Sequence, residues 1–327
     1  MNFYSIVIYG YFVVALLFVY FINRDRKKPE LFFGKHKNIS LITIAVLILG
    51  IAAAVDARFV EPRLLFTNEI SLKMRQIKEP IKIAFITDLH MGENKKSEWA
   101  EKVVKKIEES KPDLVLMGGD FIVNYGAKED ETKYLEPLRK LVGKYPTYYV
   151  LGNHEYGTAF VLKTGKKKTY SDNSKEVIKK MNEMWIKLLK NELECLDIKG
   201  QKICLYGVDD IWGGKTDYSD LMKWNSNYPV ILISHNPDAV LTWPEKLKKP
   251  DLVLAGHTHG GQIRLPFIGP LGEADVALGK KYYKGLNYWN DIPIFVTVGV
   301  SETGGPVRFL NPPEVAVITL DGSLPLH

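Results

Sequence analysis

Two histidines, His257 and His259, stand one residue apart in the glycine-flanked segment GHTHGG, residues 256–261. The residues before them, DLVL, are apolar and rich in branched side chains, which predicts a buried strand that ends close to this segment. Side chains two residues apart in an extended chain point to the same side, so the two imidazoles could converge on one point or on two neighbouring points. Taken alone, the pair is equally compatible with a polar loop whose histidines face water.

Metal-ligating side chains also stand at the ends of four other predicted strands. These strands end in DLH, GGD, GNHE and SH, which supply Asp88, His90, Asp120, Asn153, His154 and His235. Ligands bind at the carboxyl ends of strands in open α/β sheets, and five of the seven histidines of the chain fall at such ends. Carboxylate, amide and imidazole ligands together suit Mn, Fe, Zn or Co better than Ca or Mg. None of these endings contains a cysteine, which argues against a structural zinc site.

The ordered set DLH, GGD, GNHE, SH and GHTHGG, over roughly residues 80–320, resembles that of the calcineurin-like metallophosphoesterases. The segments GHTHGGQIRLP and GPVRFLNPPE resemble the membrane-anchored or exported bacterial branch of that family. The resemblance implies a four-layer α/β sandwich, in which two mixed β-sheets pack face to face with helices outside. It also implies a centre of two divalent metal ions, such as Mn, Fe or Zn, that hydrolyses phosphomonoesters or phosphodiesters.

The same resemblance assigns roles to the side chains at the strand ends. One metal ion would be held by Asp88, His90, Asp120 and His259. The other would be held by Asp120, Asn153, His235 and His257, so that Asp120 bridges the two ions. The paired histidines of GHTHGG would then serve one ion each, and the surrounding glycines would leave room for substrate.

This assignment agrees with the chemistry of phosphoryl transfer. Two divalent ions about 3.5–4 Å apart can share a hydroxide, acidify it near neutral pH and clamp the phosphoryl oxygens. The leaving oxygen needs a proton or a stabilising charge, and the candidate for this catalytic role is His154, which is not a ligand by the family pattern. We expect Glu155 and Asp238 either to support the site by hydrogen bonds or to have a structural role, rather than to act directly in catalysis. Arg308 is expected either to contact a phosphate or headgroup or to form a surface ion pair.

The chain that presents these endings alternates apolar strands with amphipathic helices from residue 81 onward. The predicted strands are IKIAFITD, PDLVLMGGD and TYYVLGNHE, and the predicted helices cover residues 97–110, 129–143 and 174–190. The second half is richer in strands, with a hairpin over residues 193–210 followed by PVILISH, DLVLAGH, IPIFVTVGV and PEVAVITL. The alternation predicts an α/β domain with partly parallel sheets, and the strand-rich half predicts a second sheet packed on the first.

Two uncharged segments precede this domain. Residues 3–22 supply about the 20 apolar residues that cross a bilayer, and residues 38–55 reach the minimum comfortable length. A cleaved signal peptide is the alternative for the first segment, but it has no basic start, its apolar part is too long and no clear small-residue cleavage site follows. We therefore predict a membrane anchor over residues 1–63 and a metallophosphoesterase domain over residues 64–327.

The distribution of charge predicts how this anchor is oriented. The loop of residues 23–37 carries six Lys or Arg against two acidic residues, so the positive-inside rule puts it in the cytoplasm. Both termini and the catalytic domain then lie on the extracytoplasmic side of the cell membrane. Without residues 1–63 the chain has 36 basic and 34 acidic side chains, so no nucleic-acid partner is expected. The expected partner is a phosphoester substrate of lipid or envelope origin.

The two cysteines of the chain lie in the predicted hairpin. Counting outward from a two-residue loop at Lys199-Gly200 pairs Cys195 with Cys204. A non-hydrogen-bonded pair there would place the Cα atoms roughly 4.5 Å apart, at the short edge of disulfide geometry. An extracytoplasmic domain would permit the bridge, whereas a cytoplasmic one would keep the thiols reduced. The sequence leaves both a disulfide and two reduced, half-buried thiols open.

Two further functions are compatible with the same residues. A pyrophosphatase or phosphodiesterase that acts on a nucleotide-linked lipid or a phospholipid headgroup would also gain from a membrane anchor, although nucleotide-activated precursors are usually cytoplasmic. A membrane-tethered scaffold with an inactive metal site belongs to a different class of protein. Such scaffolds usually lose a ligand or the proton-donating histidine, and all eight positions are filled here.

Overall fold

The computed structural model describes residues 3–124, 129–161, 166–222, 227–272 and 274–323. The chain begins with α1 (Phe3–Asp25), a short α2 (Phe32–Lys35) and α3 (Lys37–Val55), which a π turn (Asp56–Val60) and a 3-10 turn (Glu61–Arg63) continue. Helices α1 and α3 are long and apolar enough to cross a membrane. Most of their apolar side chains are exposed, unlike those of a helix in a soluble core. The two predicted apolar helices are confirmed, and α1 packs against α3.

The sandwich that follows contains strands, helices and short 3-10 turns. In chain order the strands are β1 (Phe66–Lys73), β2 (Ile81–Ile86), β3 (Leu114–Met117), β4 (Thr147–Tyr149), β5 (Thr158–Val161), β6 (Lys166–Thr169), β7 (Lys187–Leu188), β8 (Glu192–Ile198), β9 (Gln201–Gly207), β10 (Val230–Ile233), β11 (Leu252–Ala255), β12 (Arg264–Leu265), β13 (Gly269–Pro270), β14 (Gly285–Trp289), β15 (Ile292–Val296) and β16 (Glu314–Asp321). The helices are α4 (Ser97–Ser110), α5 (Ser174–Glu183) and α6 (Ser219–Met222). The 3-10 helices are Glu131–Leu141, Pro237–Thr242, His259–Gly261 and Lys280–Tyr283.

Two six-stranded mixed sheets pack face to face, as expected for a four-layer sandwich. The first has the order β1-β16-β2-β3-β4-β7, and the second has the order β14-β15-β11-β10-β9-β8. Each sheet mixes parallel with antiparallel neighbours: β2, β3 and β4 run parallel, whereas β16 is antiparallel to β2. Helices α4 and α5 cover the outer face of the first sheet, and the turn Pro237–Thr242 packs on the second.

The space between the sheets is filled by apolar side chains from both. Phe85 and Leu116 of the first sheet share one buried cluster with Leu205, Ile231 and Phe295 of the second. Strands buried on both faces read as continuous apolar runs, which explains sequences such as VILI in β10 and LVLA in β11. Full burial of one such side chain stabilises the fold by about 1.5–3 kcal/mol, so this layer holds the strand ends in place.

The predicted hairpin has the predicted register. Ile198 pairs with Gln201 across the Lys199-Gly200 turn, and Cys195 lies opposite Cys204. Both turn residues have positive φ angles of 55° and 71°, as a two-residue hairpin loop requires. The two sulfurs are bonded and the Cα atoms are 4.0 Å apart. The alternative of two reduced thiols is therefore wrong.

Two predicted helices differ from the structure. The segment predicted as a helix over 129–143 forms a 3-10 helix, Glu131–Leu141, with Pro137 inside it; a proline there removes an N–H and disfavours α-helical packing with the preceding turn. The helix predicted over 174–190 ends at Glu183. Trp185 adopts a left-handed φ of 64°, and Lys187–Leu188 then pair with β4, because completion of the sheet outweighs the local helical pattern.

Candidate active site

The eight side chains predicted from the strand ends lie together in one buried cluster. Those that follow strands of the first sheet face those that follow strands of the second: Asp88, His90, Asp120, Asn153 and His154 against His235, His257 and His259. All are buried except His257, which is half-buried. Parallel strands bring their carboxyl ends to one edge of a sheet, and the two packed sheets bring two such edges together.

Asp88 lies beside two imidazoles on one side of the cluster. Its Oδ1 is 3.4 Å from Nε2 of His259 and 3.8 Å from Nε2 of His90, and these two nitrogens are 3.1 Å apart. Its other oxygen, Oδ2, accepts hydrogen bonds from the Thr87 hydroxyl and from the backbone N–H of His257. One carboxylate oxygen is therefore held by the protein, and the other faces the imidazoles.

Asp120 lies at the centre of the cluster. Its Oδ2 is 3.1 Å from Nε2 of His235, 3.7 Å from Nε2 of His90 and 3.8 Å from Nε2 of His154. Its Oδ1 accepts from the backbone N–H of His154 at 2.9 Å. Nε2 of His235 also lies 3.1 Å from the side-chain oxygen of Asn153 and 3.1 Å from Nδ1 of His257. Asp120 thus stands between two groups of potential ligands.

Backbone carbonyls orient three of the imidazole rings. Nδ1 of His154, His235 and His259 donates to the carbonyl oxygens of Val123, Gly118 and Ser301 at 2.6, 2.9 and 3.0 Å. A ring whose Nδ1–H is bound in this way turns its Nε2 toward the site. Asn153 is oriented similarly, because its Nδ2 donates to the carbonyl of Thr158 and leaves its oxygen toward His235.

The backbone around the cluster is unusual. Left-handed φ angles between 42° and 69° occur at Asp88, His90, Asp120, His257 and His259. Such angles cost of order 1–3 kcal/mol each for non-glycine residues and concentrate at functional sites. The neighbouring glycines permit close approach: a Cβ added to Gly152 would collide with Oδ1 of Asp120 and lie 2.7 Å from the Asp120 backbone nitrogen. The chain is bent here so that these side chains converge.

Glu155 braces two of the loops that carry the site. One of its oxygens accepts from the backbone N–H groups of Phe121 and Ile122, and the other accepts from those of Asp120 and Gly152. The side chain is fully buried. Because the donors belong to the segments after β3 and β4, this carboxylate ties Asp120 to the loop of Asn153.

The protonation of the histidines suits metal binding. Burial lowers the pKa values of His90, His257 and His259, so these rings are neutral near pH 7, the form that binds metal. Burial also disfavours the charged form of His235, but the carboxylates of Asp120, Asp88 and Asp210 together outweigh it and raise the pKa of His235 to about 10. Without a cation, Asp120 and His235 form an ion pair, and a bound cation would replace that proton.

Two residues at the site were missed at the level of sequence. Asp210 follows β9 and is buried; its Oδ1 accepts from the backbone N–H groups of Trp212 and Gly213, and burial raises its pKa to about 6. The Trp212 ring packs edge-on against His257, with ring centroids 4.5 Å apart. Asp210 could have been found from the sequence, because GVDD ends a predicted strand in the same way as the other polar endings.

The structure agrees with the expectation for Asp238 and corrects the expectation for Arg308. Asp238 accepts from the backbone N–H groups of Ala277 and Leu278, and so supports a loop, as expected. Arg308 is neither a surface ion pair nor a substrate contact: it is fully buried and donates to the carbonyls of Asn311, Val298 and Ser301. Because Ser301 also accepts from His259, Arg308 supports the site from behind.

The cluster fits divalent cations by its own chemistry. Three sets of carboxylate and imidazole atoms lie within 4.8 Å of one another: Asp88, His90 and His259; His90, Asp120 and His154; and Asp120, His235 and His257. Oδ1 of Asp88 is buried without a hydrogen-bond partner, as a carboxylate oxygen that awaits a cation would be. The second set includes His154, so distance alone does not separate this residue from the ligands.

Known proteins resemble the segment that builds this cluster. The sequence model of the calcineurin-like phosphoesterase family matches residues 81–261, which contain all eight side chains. The chain is 33% identical over 272 residues to the uncharacterized metallophosphoesterase YkuE of Bacillus subtilis, covering 81% of this chain and 88% of that protein. It is 30% identical over 260 residues to an uncharacterized metallophosphoesterase of Helicobacter pylori, covering 77% of this chain and 63% of the relative. It is also 30% identical over 247 residues to the phosphodiesterase YaeI of Escherichia coli, covering 74% of this chain and 82% of the relative.

These matches extend over more than half of the chain and agree with the chemistry of its buried cluster. The chain therefore belongs to the calcineurin-like phosphoesterase family and is a metal-dependent phosphoesterase.

Proposed function

We propose that the cluster holds two divalent ions, of Mn, Fe or Zn, and hydrolyses phosphomonoesters or phosphodiesters. Asp88, His90, Asp120 and His259 would hold one ion, and Asp120, Asn153, His235 and His257 would hold the other. The observation that carries this proposal is the position of Asp120 Oδ2, within 3.1–3.8 Å of three imidazole Nε2 atoms from three segments of the chain. A carboxylate in this position is suited to bridge two metal ions.

When bound, two such ions would acidify water near neutral pH and stabilise charge on the phosphoryl oxygens. The protein's own contribution is orientation. Backbone carbonyls direct the rings of His235 and His259 toward the centre, and Glu155 holds the Asp120 loop. Because these groups are fixed before substrate arrives, little reorganisation is needed during the reaction.

His154 is the proposed proton donor to the leaving oxygen. Its Nδ1 is bound to the carbonyl of Val123, so its Nε2 is the atom that faces the cluster. The hydrogen bond from its backbone N–H to Asp120 keeps the ring at a constant position relative to the central carboxylate. General acid catalysis of this kind typically contributes about 10²–10⁴-fold to the rate.

We further propose that residues 1–63 anchor the enzyme in the cell membrane, with the domain of residues 64–327 on the extracytoplasmic side. The apolar helices α1 and α3 and the basic loop between them support this topology. The disulfide between Cys195 and Cys204 is compatible with this topology, since cytoplasmic thiols are normally reduced. A substrate of lipid or envelope origin would be accessible from that side.

A phosphodiester is the first substrate to test, because one relative is named a phosphodiesterase. Hydrolysis of a nucleotide-linked lipid is the alternative within the same chemistry, and the proposed topology opposes it. A non-catalytic metal-binding scaffold is the alternative from another class. The complete cluster of eight side chains argues against a scaffold, because loss of a ligand would suffice to inactivate the site.

The test is hydrolysis by the full chain purified in detergent. Bis(p-nitrophenyl) phosphate and p-nitrophenyl phosphate are assayed after chelation and after Mn²⁺ is restored. We expect activity that depends on the metal and is lost in Asp120→Asn. The matched control is Asp291→Asn, at a fully exposed aspartate, which should retain activity. Metal binding without hydrolysis of any phosphoester, including phospholipid headgroups, would favour the scaffold instead.

A further inference from the structure

The hairpin of β12 and β13 has an exposed apolar tip. Its two short strands pair antiparallel, and the segment LPFIGPL of residues 265–271 contains no polar side chain. The relative exposure is 109% for Phe267 and 69% for Ile268, and Leu271 beside them is also exposed. Contiguous apolar side chains in water mark an interaction surface.

The base of this hairpin lies against the apolar helices. Ile263, just before β12, bridges to Phe309, and both line an apolar cleft of about 290 Å³. The rest of the lining comes mainly from the ends of α1 and α3: Val7, Ile8, Ala53, Ala54, Ala57 and Val307. The cleft therefore brings Ile263, at the base of the hairpin, against the ends of the proposed spanning segments.

Hydrogen bonds fix this arrangement. The backbone N–H of Arg308 donates to the carbonyl of Ala57 at 2.9 Å. The buried carboxylate of Glu61 accepts from the N–H groups of Leu310 and Asn311 at 2.7 and 2.5 Å. The helices are thus joined to the hairpin region by direct contacts, so the depth of α3 in a membrane determines the depth of the tip.

Basic side chains follow the apolar part of α3 along the chain. A second cleft, of about 520 Å³, is lined by five basic side chains, among them Arg58 and Arg63, and by three acidic ones. Arg58 and Arg63 follow the apolar part of α3, whereas Lys95 and Trp99 are buried, with the Lys95 ammonium 3.3 Å from the centroid of the Trp99 ring. Arginine side chains at the end of an apolar helix are typical of the headgroup region.

We propose that Phe267 and Ile268 insert into the bilayer leaflet on the side of the catalytic domain, next to α1 and α3. The inference rests on the proposed membrane anchor, and the bilayer itself is the partner of this surface, which continues the lipid-facing surface of the helices. It also specifies the substrate class. The side chain of Asn311 donates to the carbonyl of His259 while its backbone donates to Glu61, so the candidate active site adjoins the membrane and suits a phosphoester borne by a lipid.

Fluorescence quenching in proteoliposomes tests the insertion. The two native cysteines are joined in a disulfide, so Phe267→Cys would introduce the single free thiol for an environment-sensitive fluorophore. Leu49→Cys, on exposed α3, is the positive control. Trp185→Cys is the negative control, at a site 83% exposed beside β7, on the sheet edge opposite β1. We expect spin-labelled lipid to quench the probes at 267 and 49 several-fold more than the probe at 185, and aqueous iodide to show the reverse.

The controls separate the possible failures. Quenching by lipid at 49 but not at 267 would overturn the insertion and leave the anchor intact. Equal access of iodide to 49, 267 and 185 would overturn both. Hydrolysis of soluble bis(p-nitrophenyl) phosphate by the same labelled proteins reports the proposed enzymatic function separately, because it requires no insertion. A protein that inserts at 267 but does not hydrolyse this ester would contradict the function alone.

Discussion

Glu155→Gln should destabilise the catalytic domain although the two side chains have almost the same shape. Each carboxylate oxygen accepts two backbone N–H groups, and an amide can present only one oxygen. Two buried donors would then face an NH₂ group. Hydrogen bonds to charged groups are worth about 1.5–3 kcal/mol each, so the loss should be at least about 3 kcal/mol. For a domain of this size that corresponds to a fall in Tm of roughly 6–12 °C.

The prediction depends on the charge of Glu155. Burial and then the charge of Asp120 raise its pKa to about 8, against the opposing effect of the backbone donors. Without metal, the anion that accepts all four N–H groups is therefore the main form only above about pH 8. Thermal unfolding of the full chain at about pH 9, in chelator, measures the effect on the anion without bound metal, and exposed Glu245→Gln is the control. A Tm within about 2 °C of the native value would refute the reasoning, because glutamine replaces a neutral glutamic acid at little cost.

Three other predictions follow from the site and the hairpin. Asp120→Ala should lower metal occupancy from about two toward one or none, because the shared carboxylate is lost; elemental analysis that still finds two ions would contradict the bridge. His154→Ala should keep both ions but reduce turnover, more for alkyl than for activated aryl esters, and equal losses on the two esters would exclude the role of proton donor. Cys195→Ser should cost about 2–3 kcal/mol. Native protein from intact cells should show no free thiol until it is reduced, and two thiols without reductant would argue against an extracytoplasmic domain.

Much of the site could be predicted because its signals are local. A strand of alternating or continuous apolar residues is visible in a few consecutive positions, and so is the polar residue that ends it. Asp88, Asp120 and His235 were found in this way, together with the resemblance to a known family. The hairpin register followed from a two-residue turn with Gly200 at its second position, so the pairing of the cysteines could be counted, although their oxidation could not.

Other features depend on contacts between distant segments. The carbonyl of Ser301 that orients His259 lies 42 residues further along the chain and meets it only in the folded domain. Arg308 resembles a surface cation in the sequence but is fully buried, and its guanidinium donates to three backbone carbonyls. The helix predicted over 174–190 was shortened because Lys187 and Leu188 gained a partner strand.

The sequence by itself determined which residues end the strands, since that depends on patterns of neighbouring side chains. Only the tertiary structure decided how those ends face one another, that Glu155 ties two of them together, and that Ile263, at the base of the hairpin, lies beside the apolar helices. The physical reason is that burial and hydrogen bonding are satisfied between segments far apart in the chain, which local propensity does not record.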